Sequence, residues 1–381
     1  MRERGSGVRA FDPTAMREAN SSLTLRSLYL ASGPLTMTDL NRTTGLSRRT
    51  LELILADLGA EGWVEPIEPG PAAGAGRPPR LYAFRPERAL VGAVQFDTHS
   101  TEALVADLGG TVLGRSRRRL TNSANPDLTL AEARAALLAA VDESGRSLEE
   151  FRAVGVAMGG AVDDDGTVVT LVNAPRWAGI RAAEALGLSS GVRVIVDNDA
   201  NLAALAEHAL GAARDHASFT WLLAGNRAGS GIIIDGRVHR GFRGAAGEIV
   251  EANLLGTRAM EHNPFGLLTS PDPAEREAGE AIVEGVRGGD PEAIDQLDAF
   301  VAPFAQLLAV FAWTIAPPLI VLGGGLEAGA DVLIPRLETE LEALGAPAME
   351  LRASALGREA MLQGALRVAV MSVENELFGR A

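Results

Sequence analysis

The sequence contains no cysteine, so disulfides and thiolate metal sites are excluded. It contains no lysine either: its 35 basic residues are all arginine, set against 49 acidic ones for a net charge of -14. An uninterrupted apolar run long enough to span a membrane is also missing. The longest stretch, 301–322, is broken by Pro303, Pro317 and Pro318 and reads as a buried helix followed by a buried strand. Residues 1–10 are charged and glycine-bearing, without the apolar segment of a signal peptide, so the expected location is the cytoplasm and no membrane partner is expected. What remains is 47% apolar and 22% charged, the proportions of a soluble globular protein, and 381 residues exceed one ordinary core. Two or three domains are therefore expected.

The acidic excess is not spread evenly. Residues 1–88 hold 12 arginines against 10 acidic residues, so the deficit of positive charge lies in the remainder and the front of the chain is free to meet phosphate. Three short helical patterns follow one another there. The first covers 20–31, with Leu23, Leu25, Leu28, Tyr29 and Leu30; the second covers 36–44, with Met37 and Leu40 facing inward. Gly45 supplies a tight turn, and Ser47 caps a third helix running to about Glu61, with Leu51, Ile54, Leu55 and Leu58 at helical spacing. Ser47, Arg48, Arg49 and Thr50 occupy its first turns, where a helix-turn-helix meets base edges in the major groove. Two short strands, 62–67 and 80–84, enclose a Pro/Gly/Ala loop and read as a β-wing whose Arg77 reaches a minor groove. The same pattern is compatible with a helical dimerisation module carrying a solvated arginine face.

From Leu90 onward strands and helices alternate, which predicts an α/β body. Strands are expected at 91–96, 103–107, 154–157, 192–196, 219–223, 231–234 and 319–322. Helices are expected at 128–143, 293–315 and 333–344. Three local sequences stand out. Val196-Asp197-Asn198-Asp199-Ala200-Asn201 precedes Leu205-Ala206-Glu207; Gly241-Phe242-Arg243-Gly244-Ala245-Ala246-Gly247-Glu248-Ile249 precedes Met260-Glu261; and Ile320-Val321-Leu322-Gly323-Gly324-Gly325 closes the series. In this order, over roughly residues 90–370, they resemble the ROK family of repressors, open reading frames and sugar kinases. The N-terminal segment looks like the winged helix of the repressor branch.

The resemblance implies a two-lobe, actin-like and ribonuclease-H-like sugar-kinase fold behind the winged helix. It implies a sugar site in the cleft, with Asp199 at the position of the kinases' general base. Asn173, Asn198, Glu248 and Glu261 match residues that hold sugar hydroxyls, for which carboxylates and amides suit paired hydrogen bonding. Without a sugar, Asn198 and Asp199 simply cap the following helix, and Glu248 is a solvated loop residue.

The family pattern is broken where ATP and zinc would sit. The glycine-rich first phosphate loop is replaced by Gln95-Phe96-Asp97-Thr98-His99-Ser100. An unpaired Asp97 beside a triphosphate costs on the order of 4 kcal/mol at ~4 Å and an effective dielectric near 20. The second loop reads Gly225-Asn226-Arg227-Ala228-Gly229-Ser230-Gly231, with Arg227 in place of a glycine. Gly323-Gly324-Gly325 survives, and a strand-to-helix turn explains it without adenosine. Where the family carries a zinc-binding histidine and three cysteines, this chain has Glu251 and 254–260, which contain no ligand, and His262 stands alone.

The expected organisation is a winged helix-turn-helix over 1–88, a first lobe over 89–198 with helix 365–381 packing back on it, and a second lobe over 199–364 with the dimer contacts. The expected function is a DNA-binding regulator, a repressor of sugar-metabolism genes, acting as a homodimer or homotetramer. Its partners are a double-stranded operator and a sugar effector; no metal, ATP or other cofactor is expected, and kinase activity is expected to be lost. The alternatives are a sugar kinase using Asp199 as base, and a ligand-independent DNA-binding scaffold with a vestigial cleft.

Overall fold

The computed structural model describes residues 13–68, 79–171, 174–189, 191–249, 260 and 262–379. It divides into two compact units: one of Met1–Leu90, Asp107–Gly109 and Met371–Ala381, the other of Val91–Ala106 and Gly110–Val370.

In the first unit the order is α1 (Pro13–Tyr29), β1 (Leu35–Thr36), α2 (Met37–Thr44), α3 (Arg48–Ala60), β2 (Val64–Ile67) and β3 (Leu81–Phe84). Thr36 and Asp39 form a capping box that starts α2, each side chain bonding the other's backbone N–H at 3.1 Å. Gly45 ends it with φ +71°, a left-handed turn that a side chain would oppose. Ser47 then caps α3 by accepting from the Thr50 N–H. Leu25, Leu28, Leu40, Leu51, Ile54, Leu55, Leu58 and Trp63 are buried as one apolar set, and Trp63 stacks on Phe84. The strands form a sheet of order β1-β3-β2, antiparallel throughout, so the expected wing strands pair as foreseen and β1 is an addition. α1 starts earlier than its periodicity predicts, because its first turn and a half is exposed and carries no apolar stripe to read.

The second unit opens with β4 (Leu90–Phe96), β5 (Ser100–Asp107), β6 (Val112–Arg119), α4 (Pro126–Ser144) and β7 (Phe151–Met158). A small hairpin β8 (Ala161–Val162) and β9 (Val168–Thr170), the turn α5 (Ala182–Ala185), β10 (Arg193–Asn198) and α6 (Asp199–Leu210) follow. Then come β11 (Phe219–Leu223), β12 (Gly229–Ile234), β13 (Arg237–Val238), α7 (Pro273–Gly288), α8 (Pro291–Thr314), β14 (Leu319–Leu322), α9 (Ala330–Ala343), β15 (Glu350–Ala353) and α10 (Ala360–Phe378).

The sheets run β10-β7-β4-β5-β6 and β13-β12-β11-β14-β15. In the second, an antiparallel meander is extended by two parallel strands; in the first, β5 and β6 pair antiparallel and β7 and β10 parallel. This is the repeated two-lobe α/β layout that the resemblance implies. Helix α8 is long and apolar, and Leu297, Phe300, Phe304, Leu307 and Leu308 on it are completely buried in the core of the second sheet's lobe. It continues through Pro303 rather than breaking there.

The expected division differs from the observed one in two respects. The two lobes group as a single unit, and α10 does not pack on the first lobe along its whole length. Its early part does, with the Ala365 carbonyl pressed against Gly155 of β7. From Met371 onward it groups with the N-terminal residues: the Tyr29 hydroxyl donates to Glu374 at 2.7 Å, its ring meets Phe378 at 5.3 Å, and Ser22 Oγ donates to the Leu377 carbonyl at 2.9 Å. Such contacts join residues more than 300 positions apart, which no local pattern reveals.

Candidate functional site

Strand β10 delivers Asn198 and α6 begins on Asp199, so the two residues stand at a strand-to-helix turn at the mouth of a cavity of about 290 Å³. Asn198 does cap the helix, its Oδ1 accepting from the Asn201 N–H at 3.0 Å. Its amide nitrogen is left to donate to the Gly160 carbonyl at 3.1 Å and to Glu248 Oε1 at 3.0 Å. Capping and site-building are thus compatible roles of one side chain, and Glu248 is tied into the cleft wall. Phe96 and Trp177, with ring centroids 5.9 Å apart, supply an apolar wall to the same cavity. Carboxylates and amides on one side with aromatic rings on the other suit a polyol ring, which is polar at its edge and apolar on its faces.

The turn is held from behind by Asp197. This buried carboxylate accepts from the Asn198 N–H at 2.8 Å and Asn201 Nδ2 at 3.2 Å, and is ion-paired with Arg240. Arg240 was not foreseen: it is 43 positions away and belongs to none of the motifs.

Burial raises the affinity of Asp199 for its proton, opposed by the Arg227 guanidinium and reinforced by the negative charge of Asp97. A carboxylate so raised makes the fold more stable below its ordinary pKa, and that contribution is lost as pH climbs through the raised value. Wild type should therefore lose stability relative to Asp199→Asn as pH rises upward from about 4. Urea titrations of both proteins at several pH values check this; a difference that does not vary with pH would overturn it.

The two altered phosphate loops meet. Asp97 closes the β4–β5 turn, and its carboxylate accepts from Arg227 Nη1 at 3.4 Å across 130 residues of sequence. The repulsion expected of an unpaired Asp97 is therefore corrected: the arginine that replaces one loop glycine offsets the aspartate that replaces another. The surviving glycines have packing reasons to remain. A Cβ at Gly231 would fall on the Ala200 carbonyl, and one at Gly323 would strike the indole of Trp221.

Asn173, Glu251, Glu261 and Arg77 lie outside the described residues. The family's zinc has no fitting donors here, since the chain has no cysteine, and no chemistry is derived through it.

In the first unit, Ser47, Arg48, Arg49 and Thr50 form the first turn of α3. Ser47, Arg48 and Arg49 are exposed, opposite the buried Leu51, Ile54, Leu55 and Leu58. Arg48 pairs loosely with Glu52 at 3.1 Å, an exposed contact that phosphate or a base edge can displace.

Residues 91–253 match the ROK family. The xylose repressor of Bacillus subtilis is 25% identical over 238 residues, 62% of this chain and 61% of that protein, so the match leaves more than a third of the repressor uncovered. A ROK family glucokinase from Streptomyces griseus, solved with glucose and AMPPNP, is 25% identical over 74% of this chain and 100% of its own, with a TM-score of 0.59. A ROK family transcriptional regulator described as a homolog of the E. coli MLC protein shares the fold over 95% of this chain and 98% of its own, at 17% identity and a TM-score of 0.73. The chain thus carries a ROK family domain of sugar-kinase-like fold behind an N-terminal helical region.

Proposed function

We propose that this protein is a cytoplasmic DNA-binding repressor of sugar-metabolism genes, whose cleft takes a sugar and whose copies associate as a homodimer or homotetramer. The observation that carries this is α3: a capped helix N-terminus presenting Ser47, Arg48, Arg49 and Thr50 beside a β-wing. Fold similarity over 95% of the chain to a transcriptional regulator, against 74% for a glucokinase, supports it, since the excess covers more than the kinase body. Arg77 would enter the minor groove beside the helix. Asn173, Asn198, Asp199, Glu248 and Glu261 would hold the sugar hydroxyls. Two reading heads related by two-fold symmetry would meet half-sites one or two helical turns apart. A sugar shifts DNA affinity only by binding the two states of the regulator unequally.

The test is selection of a binding site from random duplexes by the purified protein, followed by titration of variants at fixed salt. Arg48→Ala and Arg49→Ala should each weaken binding to the selected site by about 1–3 kcal/mol. Unchanged binding by both would remove α3 as the reading helix. A sugar kinase with Asp199 as base is favoured by the Streptomyces griseus relative, but Asp97 and Arg227 occupy the phosphate loops. Steady phosphotransfer from ATP to a sugar would restore that reading. The failure of every sugar to bind would instead favour a scaffold with a vestigial cleft.

A further inference from the structure

Helix α1 carries apolar residues on two opposite faces. Thr24, Leu25 and Leu28 point into the packed interior of the first unit and are buried. Turned away from them are Met16, Leu23 and Leu30, which stay 49%, 42% and 68% exposed. Leu30 prolongs the helix by one residue, its N–H donating to the Arg26 carbonyl at 3.0 Å. The three are spaced seven residues apart, and at 3.6 residues per turn they fall within about 40° of one line along the helix. Ala19 and Ser27 fill the intervals, so the stripe runs for about 21 Å without a charged side chain in it, and Arg26 stands at its rim. Single exposed apolar residues are ordinary, but a row in heptad register is the seam of a helix pair. At its C-terminal end the stripe opens into a hollow of about 840 Å³ walled by Leu30, Pro34, Leu35 and Thr43.

Charge selects the occupant. The whole chain carries -14, yet its first 88 residues hold 12 arginines against 10 acidic residues, so two copies meet here with far less repulsion than elsewhere. An antiparallel pair of α1 helices centred on Leu23 sets Leu23 against itself and Met16 of each copy beside Leu30 and the hollow of the other. It also sets Arg26 level with Asn20 of the other copy and about 3 Å along the axis from Glu18. Arg26, Asn20 and Glu18 offer a cation, an amide and a carboxylate, which are complementary across the pair. A parallel arrangement would instead bring Arg26 against Arg26.

We propose that the exposed face of α1 docks a second copy of this chain, the two helices pairing antiparallel about Leu23. That copies associate at all rests on the homodimer reading above; the place and register of the contact do not. A pair of 17-residue helices is small beside the roughly 1,200–2,000 Å² of a stable interface, so α1 fixes where the two α3 helices stand relative to each other rather than holding the copies together alone.

The natural chain has no cysteine, so introduced thiols report without background. The substitutions fall at exposed positions and leave the buried face of α1 untouched. Oxidation of full-length Leu23→Cys at micromolar concentration should give at least about fivefold more disulfide-linked dimer than Leu53→Cys, whose site is 59% exposed on α3. Met16→Cys/Leu30→Cys should cross-link as well as Leu23→Cys. Met16→Cys alone should stay at the control level, because its two copies would lie about 21 Å apart, beyond the ~7 Å reach of a disulfide. Efficient cross-linking of Met16→Cys alone overturns the antiparallel register. Leu23→Cys at the control level, in a chain that sedimentation shows to be dimeric, overturns the α1 contact and leaves the homodimer reading intact. Sedimentation as a monomer throughout removes both. Slow maleimide labelling of Leu23→Cys without cross-linking would show that another segment of the same chain covers the stripe, which also overturns the proposal.

Discussion

Glu207→Ala is expected to destabilise the second unit by about 3–5 kcal/mol. Glu207 lies on α6, about two turns beyond Asp199, and is completely buried. Its carboxylate accepts from the N–H groups of Ala212 at 2.6 Å and Leu356 at 3.1 Å, and from Ser354 Oγ. It therefore satisfies the segment after α6 and the turn that precedes α10 at once. Alanine would leave the buried Ser354 hydroxyl and the two part-buried N–H groups without this acceptor, and each orphaned buried group costs about 1–3 kcal/mol. Glutamine should fall between, since one of its two terminal atoms still accepts. Urea unfolding followed by the fluorescence of the buried Trp177 and Trp221 measures the difference; a loss under about 1 kcal/mol would show that water or a small shift takes over the carboxylate's role.

Gly155→Ala should have an effect of similar size for a steric reason. Gly155 sits in the middle of β7, paired with Ile195 of β10, and a Cβ there would fall on the backbone carbonyl of Ala365 in α10. Backbone on both sides leaves no flexible side chain to move aside. Gly364, one residue earlier on that helix, makes the same approach to the Leu202 carbonyl of α6, so α10 is seated through glycine contacts on two elements. Separating β7 from the helix by the width of a methyl group is expected to cost about 3 kcal/mol or more, a fall of roughly 6–12 °C in Tm for a domain of this size. A melting temperature within 2 °C of wild type would mean that α10 slides without penalty.

Much of the fold was legible because its elements announce themselves locally. The third helix of the first unit is legible with its cap because Ser47 precedes an apolar spacing that only a helix explains, and the strands 219–223 and 319–322 are legible because they are short, apolar apart from Thr220 and bounded by turn residues. β6 was missed because its sequence, Val112-Leu113-Gly114-Arg115-Ser116-Arg117-Arg118-Arg119, has an outward face and an edge position and so carries few apolar residues. α7 was missed for a related reason: its buried positions are few, with Gly279, Val283 and Val286 facing in amid a charged surface.

The candidate cleft was legible through the order of its motifs, which named Asn198, Asp199 and Glu248, and the structure brings these three to one cavity. The electrostatics around them were not legible. Asp97 reads as added negative charge in the cleft because Arg227, the residue that faces it, is 130 positions away and by itself suggests phosphate binding as readily as an ion pair. Arg240 behind Asp197 is likewise distant in sequence.

The sequence by itself determined the helices and strands with a clear apolar pattern, the capped third helix at the front, the absence of any thiolate ligand, and the family resemblance of the body. Those follow from the periodicity, capping and identity of residues close together along the chain. Only the tertiary structure decided which charges neutralise each other and which carboxylate is buried with its donors. Charge interactions act through space and depend on burial, and neither distance nor burial is defined until the chain has closed its long loops.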